Sequence, residues 1–250
     1  ANAEEFVDNI NSIKSRFDID FAFHRCFNEY MISKKNFSKD EVLELCDKYV
    51  LNDEIKEEIE RIYAPRQDNT FGVPVHYILN MGEKTGQDAV EVLIDALHSS
   101  GRMLRDKYTV LHPSRLRCCD MDLFFEILSV FKVNDGGVVV ISSNIEIDET
   151  DRYSREMEVL EKICQVCKLA SKDTTIIFQL SSVRVGQENY IKNNLSNLSF
   201  IEIKDIAIQN EMAKNFLLRM ASKYNIVETQ SLLNLVEPSK SYEIFELEDM

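Results

Sequence analysis

From Gly72 onward the chain repeats one unit, a short run of apolar and mostly β-branched residues followed by an amphipathic helical stretch. That alternation predicts an α/β fold with a parallel sheet covered on both faces, because parallel strands need crossover helices and are then buried on either side. Five parallel strands are expected, over Val75 to Leu79, Tyr108 to Leu111, Val138 to Ile141, Thr175 to Leu180 and Phe200 to Ile203. The helices between them carry stripes that face the core by default: Val90, Leu93, Ile94 and Leu97; Phe124, Phe125, Leu128 and Phe131; Met157, Leu160, Ile163 and Cys167. A last clear helix, about Gln209 to Lys223, places Met212, Phe216 and Met220 four residues apart, and the tail from Glu228 is mixed and acidic.

The first 65 residues read as helical, with no convincing strand. Ser38-Lys39-Asp40-Glu41 has capping-box spacing, a hydroxyl to cap the first turn and a carboxylate three residues on to answer it. Val42, Leu45, Cys46 and Tyr49 follow at helical spacing. A second helix begins near Asn52 or Asp53, runs through Ile55, Ile59 and Ile62, and is stopped by Pro65. The expected organisation is a helical N-terminal segment over 1–65, an α/β core over 66–205, and a short lid helix and tail over 206–250.

Charge narrows the function classes. With 29 basic against 43 acidic residues and a formal net charge of -14, the chain repels phosphate backbones and anionic lipid. Neither nucleic acid nor a membrane surface is an expected partner. The longest apolar runs, such as Val138 to Ile141, fall far short of the roughly 20 residues of a membrane helix, and the first residues show no secretory leader. A cytoplasmic location is expected. Six cysteines, Cys26, Cys46, Cys118, Cys119, Cys164 and Cys167, are too sparse for a disulfide framework and are expected to be reduced.

Ligands of open parallel sheets bind beyond the carboxyl ends of the strands, which directs attention to the turn after Leu79. It reads Asn80-Met81-Gly82-Glu83-Lys84-Thr85-Gly86-Gln87-Asp88, with a helix expected from Ala89. Strand, loop with two glycines, then helix is the layout of a phosphate-binding loop. It is also the layout of a plain strand-to-helix connection with an acidic cap.

The segment Gly72-Val73-Pro74-Val75-His76-Tyr77-Ile78-Leu79, the Thr85-Gly86 pair, and the helix ending Ala96-Leu97-His98-Ser99-Ser100-Gly101 resemble the Walker A region of AAA+ ATPases. The similarity points to the branch with rubisco-activase-like and sporulation-protein-like members. Asp47 to Tyr63 resembles the helix before that loop, Gly136-Gly137 with Val138 to Ile141 the Walker B strand, and Glu156 to Lys168 with Asp173 to Ser181 the helix and sensor strand beyond it. Asn193 to Asp205 and Glu211 to Tyr224 match the outline of the segments that follow. The resemblance spans about Asp47 to Ile226 and implies a P-loop NTPase-like (AAA+) five-stranded parallel sheet with a short C-terminal lid remnant.

Every catalytic signature in that template is altered. A working loop has a Lys for the β- and γ-phosphates and a Ser/Thr hydroxyl for magnesium. With Gly86 as the last loop glycine, Gln87 takes the lysine position, Asp88 the hydroxyl position and Met81 that of the first glycine. Asp88 brings a negative charge to a helix N-terminus, where it caps free amides in place of a phosphate. Glu83 adds repulsion, and Lys84 is the nearest cation for a reshaped loop. Ser142 and Ser143 replace the Walker B acids, which neutral hydroxyls do not substitute for. The arginine-finger position falls near Ser199, with no arginine from Asn189 to Asn210.

The expectation is a catalytically inactive AAA+-like scaffold or regulatory module, with no catalytic residue, no metal and no required cofactor. Gly82, Lys84, Thr85, Gly86, Gln87 and Asp88 form its vestigial nucleotide loop, and Ser142 and Ser143 its vestigial Walker B pair. The alternative is an ATP-binding or ATP-hydrolysing domain with a non-standard loop. A protein partner or neighbouring AAA+ domain is expected, with a homo-oligomer in keeping. Tyr242 to Met250 resembles the lead-in to a further AAA+ domain, which would begin near Met250 in a longer protein.

Other clusters have plainer readings beside the sharp ones. Cys164 and Cys167 have metal spacing, with Cys118 and Cys119 to complete four thiolates, but they fall on the apolar face of a helix. The histidines, His24, His76, His98 and His112, show no ligand spacing. Arg102, Arg105, Arg115 and Arg117 make a local basic cluster, either an anion contact or a solvated helix end, and Glu146 to Asp151 is a charged loop.

Overall fold

The computed structural model describes residues 27–32, 35–65, 74–113, 122–143, 155–172, 174–181, 186–227 and 229–250. The five expected strands are present, each a little longer than its apolar run: β2 (His76–Met81), β3 (Lys107–Leu111), β4 (Val138–Ser143), β5 (Thr175–Ser181) and β6 (Phe200–Lys204). All five are parallel. The sheet has a sixth strand that the helical reading of the prefix did not include. β1 (Phe27–Met31) lies antiparallel along β3 at the sheet edge, so the order is β1-β3-β4-β5-β2-β6. Tyr30 stacks on Tyr108 with centroids 5.3 Å apart, and Glu29 pairs with Lys107 at 2.7 Å. From Asn28 to Met31 the side chains of β1 are half-buried or exposed, so these cross-strand pairs hold the strand in place.

Helices α1 (Lys39–Lys48) and α2 (Asp53–Tyr63) start where their caps predict. Ser38 Oγ accepts the Glu41 amide while the Glu41 carboxylate accepts the Ser38 amide, so both halves of the capping box form. Hydrogen bonds from Lys35 and Ser38 hold the Glu41 carboxyl down at about 2. Asn52 caps α2 through the Ile55 amide at 3.1 Å and donates to the Lys204 carbonyl at 2.7 Å, tying the prefix to β6.

Period-two alternation sends successive strand residues to opposite faces. Tyr77, Leu79, Met81, Val138, Val140 and Ile177 join the face covered by α1, α2 and α3 (Glu83–Ser99). Ile78, Val139, Ile141, Ile176, Phe178 and Leu180 join the face covered by α4 (Asp122–Val133), α5 (Arg155–Ala170) and α6 (Gln187–Asn194). The prefix helices therefore share the core of the sheet. The side chain of Met157 lies outside the described ones, and among the stripe residues that are described two depart from expectation. Phe125 is 67% exposed because it lies about 100° round α4 from Phe124, and Met212 is 65% exposed in the first turn of its helix.

Beyond β6 a third apolar cluster forms a small lid. It comprises α7 (Asn210–Lys223), α8 (Thr229–Leu233), α9 (Ile244–Glu248), and the antiparallel pair β7 (Ile208–Gln209) and β8 (Ser241–Tyr242). Phe216, Leu217, Met220, Val236, Tyr242 and Leu247 fill it. The acidic tail is thus folded back: Tyr242 is fully buried and its hydroxyl accepts the Glu237 amide at 2.7 Å. No described helix is long and apolar enough to cross a membrane.

Candidate functional site

In an open sheet the binding crevice forms where neighbouring strands send their connections to opposite faces. Here β2 leads into α3 on one face, and its neighbour β5 leads towards α6 on the other. The crevice therefore opens at the carboxyl end of β2, the turn singled out in the sequence.

That turn is a single residue. β2 ends at Met81, Gly82 is the N-cap, and α3 begins at Glu83, six residues earlier than expected. Lys84, Thr85, Gly86, Gln87 and Asp88 are consequently the first two turns of a helix and do not form a loop. The Gly86 amide already bonds to the Gly82 carbonyl at 2.7 Å. Neither glycine has the positive φ that would curl the backbone back on itself. Gly86 instead lets β5 approach, with Gln179 Nε2 donating to the Glu83 carbonyl at 3.3 Å.

The first four amides of a helix have no partner within it. At α3 these are Gly82, Glu83, Lys84 and Thr85, and three are met by carboxylates from distant segments. The Gly82 amide donates to Asp205 Oδ2 at 2.6 Å. The Lys84 and Thr85 amides donate to the two oxygens of Glu248, at 3.0 and 2.7 Å, and the Thr85 hydroxyl donates to the same carboxylate. Lys84 Nζ donates to the Glu248 carbonyl at 2.7 Å, which commits that cation to α9. Gly82 is required by this contact: a Cβ there would lie 2.7 Å from the Glu248 carboxylate.

Asp88 does not cap the helix, contrary to expectation. It lies in the second turn, buried against α7, where it is ion-paired with Lys223. Burial alone would lower the Lys223 pKa, but the hydrogen bond and charge of Asp88 raise it, keeping the ammonium protonated. Asp205 is a different case. Burial pushes its carboxyl up to about 7 against the Gly82 hydrogen bond, with the charges of Glu248 and Glu243 adding to the rise.

Ser142 and Ser143 end β4, separated from β2 by β5, with Ser142 in register with Gln179. Ser199 is exposed and precedes β6, at the opposite end of the parallel strands from the crevice. The structure thus brings Gly82, Lys84 and Thr85 together with Asp205 and Glu248. Ser142, Ser143 and Ser199 stand apart from that group. Glu248, Asp205 and Lys223 were not among the residues expected at the site, and Glu248 lies in the segment that resembled a lead-in to another domain.

Cys164 and Cys167 are buried on α5, where burial pushes the Cys164 thiol up to about 12 and the Cys167 thiol well above its ordinary value. They pack as small apolar groups. Buried His76 accepts the Ile176 amide at 3.2 Å, and burial lowers its pKa. Arg102 and Arg105 donate to the carbonyls of Arg61 and Asp135. His24, Cys26, Arg115, Arg117, Cys118, Cys119 and the acidic run from Glu146 to Asp151 lie outside the described residues.

No family model matches the chain, and no curated protein matches it. Among solved structures it is similar to a chain of the E. coli MS115-1 HORMA:CdnC:Trip13 complex, with a TM-score of 0.43, 9% identity, and 87% of this chain and 82% of that one covered. It is also similar to Rhizobiales Trip13, at a TM-score of 0.38, 9% identity and coverage of 89% and 86%. For C. elegans PCH-2 the values are 0.34, 10%, 84% and 53%. At this depth of likeness, the reading of the fold rests on the strand order and the crevice themselves.

Proposed function

We propose that this chain is a non-hydrolysing AAA+-like module that works through protein contacts, its nucleotide crevice closed by its own C-terminal helix. Three features support the AAA+-like part: the order of strands and helices, the crevice at the β2–α3 turn, and the small lid packed beyond β6. The observation that carries the non-hydrolysing part is Glu248, whose carboxylate takes the amides at the start of α3 that a phosphate would need. A triphosphate would have to expel it and then face Asp205 and Glu243. Gln87 and Asp88, lying within the helix, supply neither the cation nor the hydroxyl for a β,γ-phosphate and magnesium.

A role in protein contacts is supported by the apolar residues the lid leaves in water. Met212, Leu218, Tyr224, Ile226 and Val227 are all at least 40% exposed. Phosphate release from ATP with magnesium tests the proposal: no turnover above background is expected. Turnover that is lost in Gln87→Ala would contradict it.

A further inference from the structure

We propose that Glu248 is a detachable latch: its carboxylate, seated on the start of α3, fastens the lid to the sheet, and its release frees the lid as a folded unit. The inference rests on the reading of the crevice as closed by α9.

The lid has its own apolar cluster, distinct from the two that flank the sheet. What joins lid to sheet is largely polar. Glu248 takes the Lys84 and Thr85 amides, Lys84 Nζ donates to the Glu248 carbonyl, Lys223 pairs with Asp88, and Arg219 Nη1 donates to the Asp47 carbonyl at 3.1 Å. Val50, at the end of α1, packs against the lid cluster from the sheet side. Residues 205–207 connect β6 to β7 as a short tether, within which Ile206 is 57% exposed. An interface of charges and hydrogen bonds opens without exposing a core, whereas each apolar cluster holds its own elements together.

The latch also serves the helix it touches. Gly82 has no side chain to cap α3, and Glu248 does so from 163 residues beyond Thr85. The Lys84 and Thr85 amides have no acceptor inside α3, so their protection from solvent exchange reports the seating of Glu248 directly.

Amide hydrogen exchange followed by NMR in the whole chain, without nucleotide, tests the proposal. In Glu248→Ala the protection of Lys84 and Thr85 is expected to fall at least about tenfold, the scale of a lost charge-assisted hydrogen bond. Phe216 and Leu217 in the lid and Leu93 in the core are expected to lose only what the fall in global stability takes from all three alike, and to stay well protected where Lys84 and Thr85 do not. In the unaltered protein, raising salt from about 0.05 to about 1 M is expected to move the same two amides in the same direction, by screening the contact. Unchanged protection of Lys84 and Thr85 in the variant would overturn the proposal, as would a larger loss of protection at Phe216 and Leu217 than at Leu93, which would mean that the lid unfolds when Glu248 leaves. Since no nucleotide is present, these outcomes are independent of whether ATP binds.

Discussion

Glu248 caps Thr85 twice: one carboxylate oxygen accepts both the Thr85 amide, at 2.7 Å, and the Thr85 hydroxyl. Thr85 is buried, so a partner lost here is not fully replaced by water. Glu248→Ala is expected to destabilise the protein by about 1–3 kcal/mol, the range for a lost cap with charge-assisted bonds. Glu248→Gln, which keeps the acceptor oxygen without the charge, is expected to cost less. Urea unfolding of the three proteins measures both.

Gly82→Ala places a methyl group 2.7 Å from the same carboxylate. The backbone there, at φ -52, suits alanine, so the cost comes from displacing Glu248. It is expected to approach that of Glu248→Ala, and the double variant to be far less destabilised than the sum. Additive losses in the double-mutant cycle would show that the two residues act separately.

In the Asp88–Lys223 pair Asp88 is buried and Lys223 half-buried, and removing the lysine strands the buried carboxylate's charge. Lys223→Ala is expected to cost about 2–4 kcal/mol, and Asp88→Asn combined with Lys223→Ala to recover part of it. Thermal unfolding at neutral pH reads the difference.

Asp205 gives stability a pH dependence of definite sign. Its folded pKa is raised to about 7 from 3.8, so between those values the folded protein holds a proton that the unfolded chain has lost. The stabilisation is fully present below about pH 4 and is lost as pH rises through about 7. Asp205→Asn keeps an acceptor for the Gly82 amide and cannot ionise. It is expected to be more stable than the natural chain at pH 8, by about 2 kcal/mol since the residue keeps some contact with solvent, and close to it at pH 4. Denaturation midpoints across that range would show a flattened slope.

The central strands β2, β4 and β5 were legible because each buries both faces and so reads as a largely apolar run, with Val138 to Ile141 all fully buried, whereas the edge strand β6 is interrupted by the exposed Glu202. β1 was not legible, because its partners Tyr108 and Lys107 lie nearly 80 residues away and it has no apolar stripe to betray it. The place of the site was legible at Gly82, Lys84 and Thr85, since a strand-to-helix turn at a sheet's carboxyl end is a local pattern. Its occupant was not. Nothing in Ile244-Phe245-Glu246-Leu247-Glu248 points to amides 163 residues earlier, just as nothing around Lys223 names Asp88 as its partner. The expected loop also obscured local signals, for Glu83-Lys84-Thr85 continue readily as helix once a single glycine has turned the chain.

The amides at the start of α3, where the proposed function would otherwise seat a phosphate, are held by the chain's own carboxylate. Calorimetric titration of the purified protein with ATP and magnesium tests it most directly. No saturable heat is expected up to about 1 mM ATP, and a Kd in the micromolar range in the unaltered protein would contradict the account.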